Sequence, residues 1–443
     1  MLVRFLYQLA ANVAGPPAAV AAALKGRFGG RWRERLGLRF APSPVTAHPR
    51  IWIHGSSVGE IKSAAAIIRA FLLLRPESEI VLSAMTPAGL ETAQNLFYGE
   101  KRIITVAAPL DFWGSPGRAL ARLKPSALVI METELWPNFI RAAQKANIKL
   151  VMAAARMTSR SYRRYSLIKN TMADLLACFD LIAASGEMEK EYFASLGVPI
   201  DRLEVLGNPK FDNLPADVEN QAFKEKVEDW KKLIWGGEAS GILLTAGSTH
   251  KGEDEIIIRA FVELAAAYKN LRLILAPRHI NRERVDELAA IIKNNGLTPL
   301  QVSKTAFHLD KPEKVLILDQ IGQLQTVYAL SDVAVVGGSL IEGLAGHNPL
   351  EPAAVSRPMV FGPNMSSFAL EAKGLVESGG ALFSTGASLA DDLEPWIKDH
   401  KAARLAGEKG KRFMESRQPA APALAAALDR IMRTGDKDEW FTA

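Results

Sequence analysis

The sequence predicts an α/β protein built of two Rossmann-like lobes around an interlobe cleft, preceded by a helical segment that associates with a membrane. Three observations carry this. The chain has 443 residues, too many for one ordinary domain. Short β-branched runs alternate with helix-length amphipathic stretches, the signature of βαβ units and a parallel sheet covered on both faces. After a polar stretch near the middle, the alternation starts again.

In the first half, strands are expected at Ile51–His54, Ile80–Ser83, Ala127–Met131, Lys149–Ala153, Leu181–Ala184 and Leu203–Leu206, with helices at Ile61–Leu74 and from Thr86 to Phe97. The stretch from Pro215 to Ala239 reads as a linker with a helical patch at Phe223–Leu233. New strands follow at Ile242–Thr245, Leu271–Ala276, Val315–Leu318, Val333–Val336 and Pro358–Phe361. The domains are therefore placed at 1–30, 31–212 and 213–443, with the helix near Leu393–Lys398 and the tail crossing back to the first lobe.

Composition narrows the partners. Hydrophobic residues make up 48% and charged residues 23%, which is globular and not disordered. The formal net charge of +6 favours an anionic partner: a membrane surface, a phosphorylated lipid or nucleic acid. The single cysteine, Cys178, excludes an internal disulfide, and its apolar neighbours disfavour a nucleophilic role. Phe5–Leu24 is nearly free of charge but is interrupted by Gly15-Pro16-Pro17. A spanning helix needs about 20 apolar residues, and prolines kink such a helix. The basic cluster from Lys25 to Arg35 completes the pattern of an anchor facing anionic lipid.

Ligands of such sheets bind beyond the carboxyl ends of the strands, so the residues just after each strand are the candidates. His54-Gly-Ser-Ser-Val-Gly-Glu60 places small residues and a carboxylate at a helix start, where free N–H groups attract anions and Glu60 suits a general base; dipole complementation alone would explain it too. Glu132-Thr-Glu134-Leu-Trp136-Pro137-Asn138 suits a polar sugar, or helix capping. Lys210 can offset charge on a leaving phosphate, or be a solvated linker lysine. Ala246–Glu253 reads as a phosphate-cradling turn, and Arg278 as a bidentate phosphate ligand. Gly337–Leu340 and Gly346–Glu351 read as a nucleotide-binding loop with an acid one turn into a helix. None of GxxxxGK[ST], GxGxxG or HExxH is present at these positions. The one DxD, Asp436-Lys-Asp438, sits in the tail and reads as solvated.

Taken in order, Ser57-Val-Gly-Glu60, Met131–Asn138, Gly207-Asn-Pro-Lys-Phe-Asp212, Ser248–Glu253, Pro277-Arg-His279, Gly337-Gly-Ser-Leu340 and Gly346–Glu351 resemble the 3-deoxy-D-manno-octulosonate (Kdo) transferases, which have the two-lobed GT-B fold. The resemblance implies inverting, metal-independent transfer of Kdo from CMP-Kdo to the lipid A precursor, in lipopolysaccharide synthesis at the cytoplasmic side of the inner membrane. It implies no cofactor and no nucleic-acid partner. By motif, Glu60 is the implied proton acceptor, and Glu132 and Lys210 the transition-state stabilisers. Pro277, Arg278, Ile321, Gly322, Gln323, Asn348, Pro349, Leu350 and Glu351 are the implied CMP ligands. The chain departs from the family at Ala345-Gly346, Ala154, Ser185 and Gln323. Two rivals stay open: another envelope glycosyltransferase using a UDP-sugar, and a membrane-tethered nucleotide-binding module without catalysis.

Overall fold

The computed structural model describes residues 2–24, 26, 30–40, 48–112, 114–212, 220–235, 241–304, 309, 311, 314–417 and 419–433. It divides into two compact units, Met1–Asn213 with Arg417–Ala443, and Leu214–Ser416. Lys25 and Arg27 of the basic cluster, parts of the linker, and Asp436-Lys-Asp438 lie outside the described residues.

The first unit holds a seven-stranded parallel sheet. Its strands are β1 (Arg50–Gly55), β2 (Glu79–Ala84), β3 (Ile103–Ala107), β4 (Ala127–Met131), β5 (Lys149–Ala155), β6 (Leu181–Ala184) and β7 (Leu203–Val205). Their order is β3-β2-β1-β4-β5-β6-β7, with Ile53 of β1 paired to Leu82 on one side and Val129 on the other. Helices cover both faces, which is why the strands are apolar at successive positions. On one face Ile61 and Phe71 of the helix Val58–Leu74 pack with Leu424 and Leu428 of the helix Ala420–Arg433. The ion pair Arg75–Asp429, at 2.6 Å, joins the same two helices. On the other face Trp52, Ile130 and Met152 pack with Phe139, Leu176 and Phe193.

The second unit repeats the plan with β8 (Ile242–Thr249), β9 (Leu271–Pro277), β10 (Thr298–Gln301), β11 (Lys314–Ile317), β12 (Val333–Val336), β13 (Met359–Phe361) and β14 (Ala381–Phe383), in the order β10-β11-β9-β8-β12-β13-β14. Leu389, Leu393, Trp396 and Ile397 of the helix Leu389–Lys398 lie in this unit's core, against Ile257 and Phe261. That helix therefore belongs to the second unit, and Ala420–Arg433 to the first.

The N-terminal segment is helical over Leu2–Leu9, π-helical over Ala10–Ala14 and helical again over Gly15–Leu24. Pro16 and Pro17 follow the π-helical turn directly, and that irregular turn accommodates their two missing N–H donors. Among the described residues no helix is long and apolar enough to cross a membrane. One member of the expected lipid-facing cluster is excluded from that role. Arg35 is fully buried, donating to the carbonyls of Met85 (3.0 Å) and Gly30 (3.2 Å), because its guanidinium supplies the donors that those carbonyls need.

Candidate active site

Each sheet reverses its winding once, and the gap this opens at the strand ends is where open α/β sheets bind ligands. In the first unit the reversal falls between β1 and β4, and in the second between β8 and β12. The candidate residues gather at these two points.

After β1 the chain turns into Val58–Leu74 through a capping box. The Ser57 hydroxyl donates to Glu60 Oε1 at 2.8 Å, the Ser56 amide donates to Oε2 at 2.7 Å, and the Ser57 Oγ accepts from the Glu60 amide at 3.4 Å. The anion expected at this helix start is thus Glu60's own carboxylate. Glu60 is 8% exposed. Burial raises its pKa from 4.5 to about 7, with Glu134 and Glu132 adding to the rise and the Ser56 and Ser57 hydrogen bonds opposing it.

After β4, Glu132 takes a left-handed backbone conformation, φ 52°, fixed by donation from its amide to Ala153 O at 2.8 Å. Its carboxylate meets Lys210 Nζ at 2.9 Å and Arg156 at 3.7 Å. Lys210 is held in turn, as Asn208 Oδ1 accepts from its amide at 3.0 Å. Glu60, Glu132 and Lys210 therefore surround one strand-end site, although 150 residues of chain separate the first from the last. The neighbouring Glu134 accepts from Trp136 Nε1 at 2.8 Å.

The helix Pro137–Lys145 has no capping side chain of its own. Asp111, from the loop after β3, fills the role by accepting from the amides of Asn138 (2.9 Å) and Phe139 (2.7 Å). Tyr7 OH also donates to Asp111, at 2.6 Å, and Gln8 bonds Asn138. Burial raises the pKa of Asp111, and burial together with Asp111 pushes the Tyr7 phenol well above its ordinary value. The N-terminal helix is thereby pinned to the Trp136–Asn138 loop. No sequence signal marks Asp111, because the amides it caps lie 27 and 28 residues away.

In the second unit, Glu253 begins the helix after β8 and is fully buried. Its two oxygens accept from the amides of His250 (2.9 Å), Gly338 (2.7 Å), Ser339 (2.9 Å) and Leu340 (2.9 Å). The Gly338, Ser339 and Leu340 amides of the expected nucleotide-binding loop are consumed in this way, the Gly337 amide donates to Gly247 O at 2.8 Å, and the loop is fixed in shape. Arg278 follows β9 and is exposed, its amide donating to Thr249 O at 3.0 Å. Pro277 is buried at the end of β9. Ile321 is 89% exposed beside Gly322, whose φ of 82° requires the glycine's freedom. Gln323 accepts from Trp230 at 3.3 Å. Asn348 Oδ1 accepts from the Leu350 amide at 3.1 Å, and Asn348 Nδ2 donates to Glu351 at 3.4 Å. Pro349 and Leu350 are buried, which leaves Asn348 and Glu351 as the polar side chains of that segment. Burial pushes the Cys178 thiol up, and it donates to Gln144, consistent with a packing role.

A family model described as 3-deoxy-D-manno-octulosonic-acid transferase (kdotransferase) matches residues 30–213. The chain is also 33% identical over 395 residues to a 3-deoxy-D-manno-octulosonic acid transferase of Haemophilus influenzae, covering 87% of this chain and 89% of that protein. The chain belongs to the Kdo transferase family. A Kdo transferase of Bordetella pertussis is 29% identical over 398 residues, covering 87% of this chain and 89% of that one. The fold is shared more widely. A UDP-GlcNAc 2-epimerase from Neisseria meningitidis aligns with TM-score 0.56 at 14% identity, over 87% of this chain and 100% of that chain. A glycosyltransferase from Rickettsia africae aligns with TM-score 0.54 at 10% identity, over 88% and 99%. As a Kdo transferase the chain is an enzyme, a glycosyltransferase with the two-sheet GT-B architecture.

Proposed function

We propose that this Kdo transferase moves Kdo from CMP-Kdo to a hydroxyl of the lipid A precursor lipid IVA, with inversion and without a metal, at the cytoplasmic face of the inner membrane. The observation that carries the proposal is Glu60, a buried carboxylate whose pKa is raised to about 7, beside the Glu132–Lys210 pair. A base with a pKa near the working pH combines availability with proton affinity. Glu60 takes the proton of the acceptor hydroxyl as its oxygen attacks the sugar carbon from the face opposite the phosphate. The sugar–phosphate bond breaks, its electron pair stays on the phosphate oxygen, and CMP leaves. Lys210, oriented by Glu132, offsets negative charge that develops at the reacting centre. In the second unit Arg278 grips the phosphate, while Pro277, Ile321-Gly322-Gln323 and Asn348–Glu351 hold the rest of CMP.

The N-terminal segment supports an acceptor presented by a membrane. Phe5, Leu6, Leu9, Val13, Val20 and Leu24 are exposed, between 51% and 85%, on the face away from Tyr7, Gln8 and Ala19. Such a face lies in the interface and need not span. The test is to incubate the protein with CMP-Kdo, generated in place, and tetra-acylated precursor in the presence of EDTA, and to weigh the lipid. A gain in whole Kdo units is expected. No gain beside an active control enzyme overturns the proposal, and a gain from a UDP-sugar instead assigns a different envelope donor.

A further inference from the structure

Three histidines from the ends of three adjacent central strands meet in the second unit. His250 follows β8, His279 follows β9 and His347 lies in the loop after β12. His250 Nε2 and His347 Nε2 are 2.8 Å apart, and the two rings are parallel to within 3°. This contact bridges the β8–β12 reversal. A nitrogen-to-nitrogen hydrogen bond needs one protonated and one unprotonated atom, so the pair shares a single proton across the contact. Among the described residues no group of three or more His, Cys, Asp or Glu is placed to hold a metal ion.

The loop is built to keep His347 there. His347 N donates to Gly337 O at 3.1 Å, and Gly346 N donates to Gly338 O at 2.7 Å. Gly338 has φ 70°, and a Cβ at that position would lie 2.7 Å from His347 Cδ2. The Glu253 carboxylate fixes Gly338 itself.

We infer that His250 and His347 form a proton-coupled latch for the phosphate of the nucleotide, sharing one proton in the free protein and taking up a second when a phosphate anion arrives. With two protons neither Nε2 can accept from the other, so the contact opens and each ring donates to a phosphate oxygen. The latch rests on the proposed binding of CMP-Kdo by this unit. When the sugar–phosphate bond breaks, the phosphate passes from one negative charge to two, and the second proton on the pair offsets the charge gained.

The surroundings set the direction of this coupling. Burial lowers the His347 pKa to about 4, with Arg278, His250 and His279 adding to the effect. Burial also lowers His250, which faces Glu253 at the start of the helix that follows it, His279 and Arg278 after β9, and Arg284 on the next helix; only Glu253 opposes the fall. The second proton is therefore absent at neutral pH until an anion supplies the missing negative charge.

The probe is cytidine 5′-(methyl phosphate), whose phosphate has no titratable proton near neutrality. The full chain is titrated calorimetrically in buffers of different ionisation enthalpy, which counts the protons taken up on binding. Wild type is expected to take up a proton per nucleotide, its affinity rising by at most about tenfold per pH unit as the pH falls. His250→Gln and His347→Gln should still bind the probe but take up none. Binding by wild type without proton uptake overturns the latch alone and needs no variant. Uptake unchanged in both variants, or lost only in His279→Gln, also overturns it. No binding at all removes the nucleotide assignment, and the latch with it.

Discussion

Replacing Glu60 by Gln separates a carboxyl poised for proton transfer from one that merely caps a helix. Burial moves the Glu60 pKa from 4.5 to about 7. Between those values the folded protein holds a proton that the unfolded chain has released. The contribution of this group to stability is thus fully present below about pH 4.5 and is lost as the pH rises to about 7. The displacement corresponds to roughly 3 kcal/mol that the ionised form costs the fold. The substituted amide is neutral at every pH, and it still accepts from the Ser56 amide and bonds the Ser57 hydroxyl. Glu60→Gln should therefore match wild type in stability at acid pH and exceed it at pH values about one unit above 7, by on the order of 5 °C in melting temperature. Transfer of Kdo should fall by about 10²–10⁴-fold, and the wild-type rate should rise with pH through about 7. Melting curves and single-turnover transfer across that range measure both. A variant that melts below wild type in mild alkali, or that turns over within tenfold of it, would refute the base assignment.

Glu253→Ala strips the acceptor from four buried amides and should destabilise the second unit by roughly 3 kcal/mol or more, with a matching loss of nucleotide affinity, read by urea unfolding and calorimetry. Arg284→Leu leaves the fully buried Asp254 without its ion-pair partner. The expected cost is about 3–5 kcal/mol, and it should shrink toward acid pH, where the carboxyl takes a proton; a pH-independent loss in unfolding curves would contradict the pairing. Phe5→Ser, Leu9→Ser and Val13→Ser should each weaken association with anionic vesicles by about tenfold while sparing nucleotide binding, as expected if each buries its side chain in lipid. Sedimentation with vesicles measures this.

The central strands were legible because they are buried on both faces: Ile51–Ile53, Leu128–Ile130 and Val333–Val336 are nearly continuous apolar runs. The sequence did not reveal β3, β10 and β14, which lie at sheet edges, where one neighbour suffices and polar or exposed residues such as Thr105, Pro299 and Phe383 blur the pattern. Of the site, the residues after the central strands were legible by position. What was hidden was who satisfies whom. The turns at Ser57 and His250 look like anion sites, yet Glu60 and Glu253 fill them from within the helices that those turns begin. The His250–His347 contact spans 97 residues of chain and leaves no local trace.

The two glutamates also divide the labour between the sheets. Each sits in the first turn of the helix that follows the first strand of its sheet, so topology alone makes them counterparts. A carboxylate has about four positions at which it can accept. Glu253 has all of them committed to rigid backbone, and no lone pair remains for a substrate. Glu60 spends one oxygen on an amide and the other on a hydroxyl that can rotate away. The same helix start thus acts as a fastener in one lobe and, on the proposed mechanism, as a reagent in the other. An engineer wishing to move the chemistry to the second sheet would first have to find other partners for the four amides that Glu253 holds.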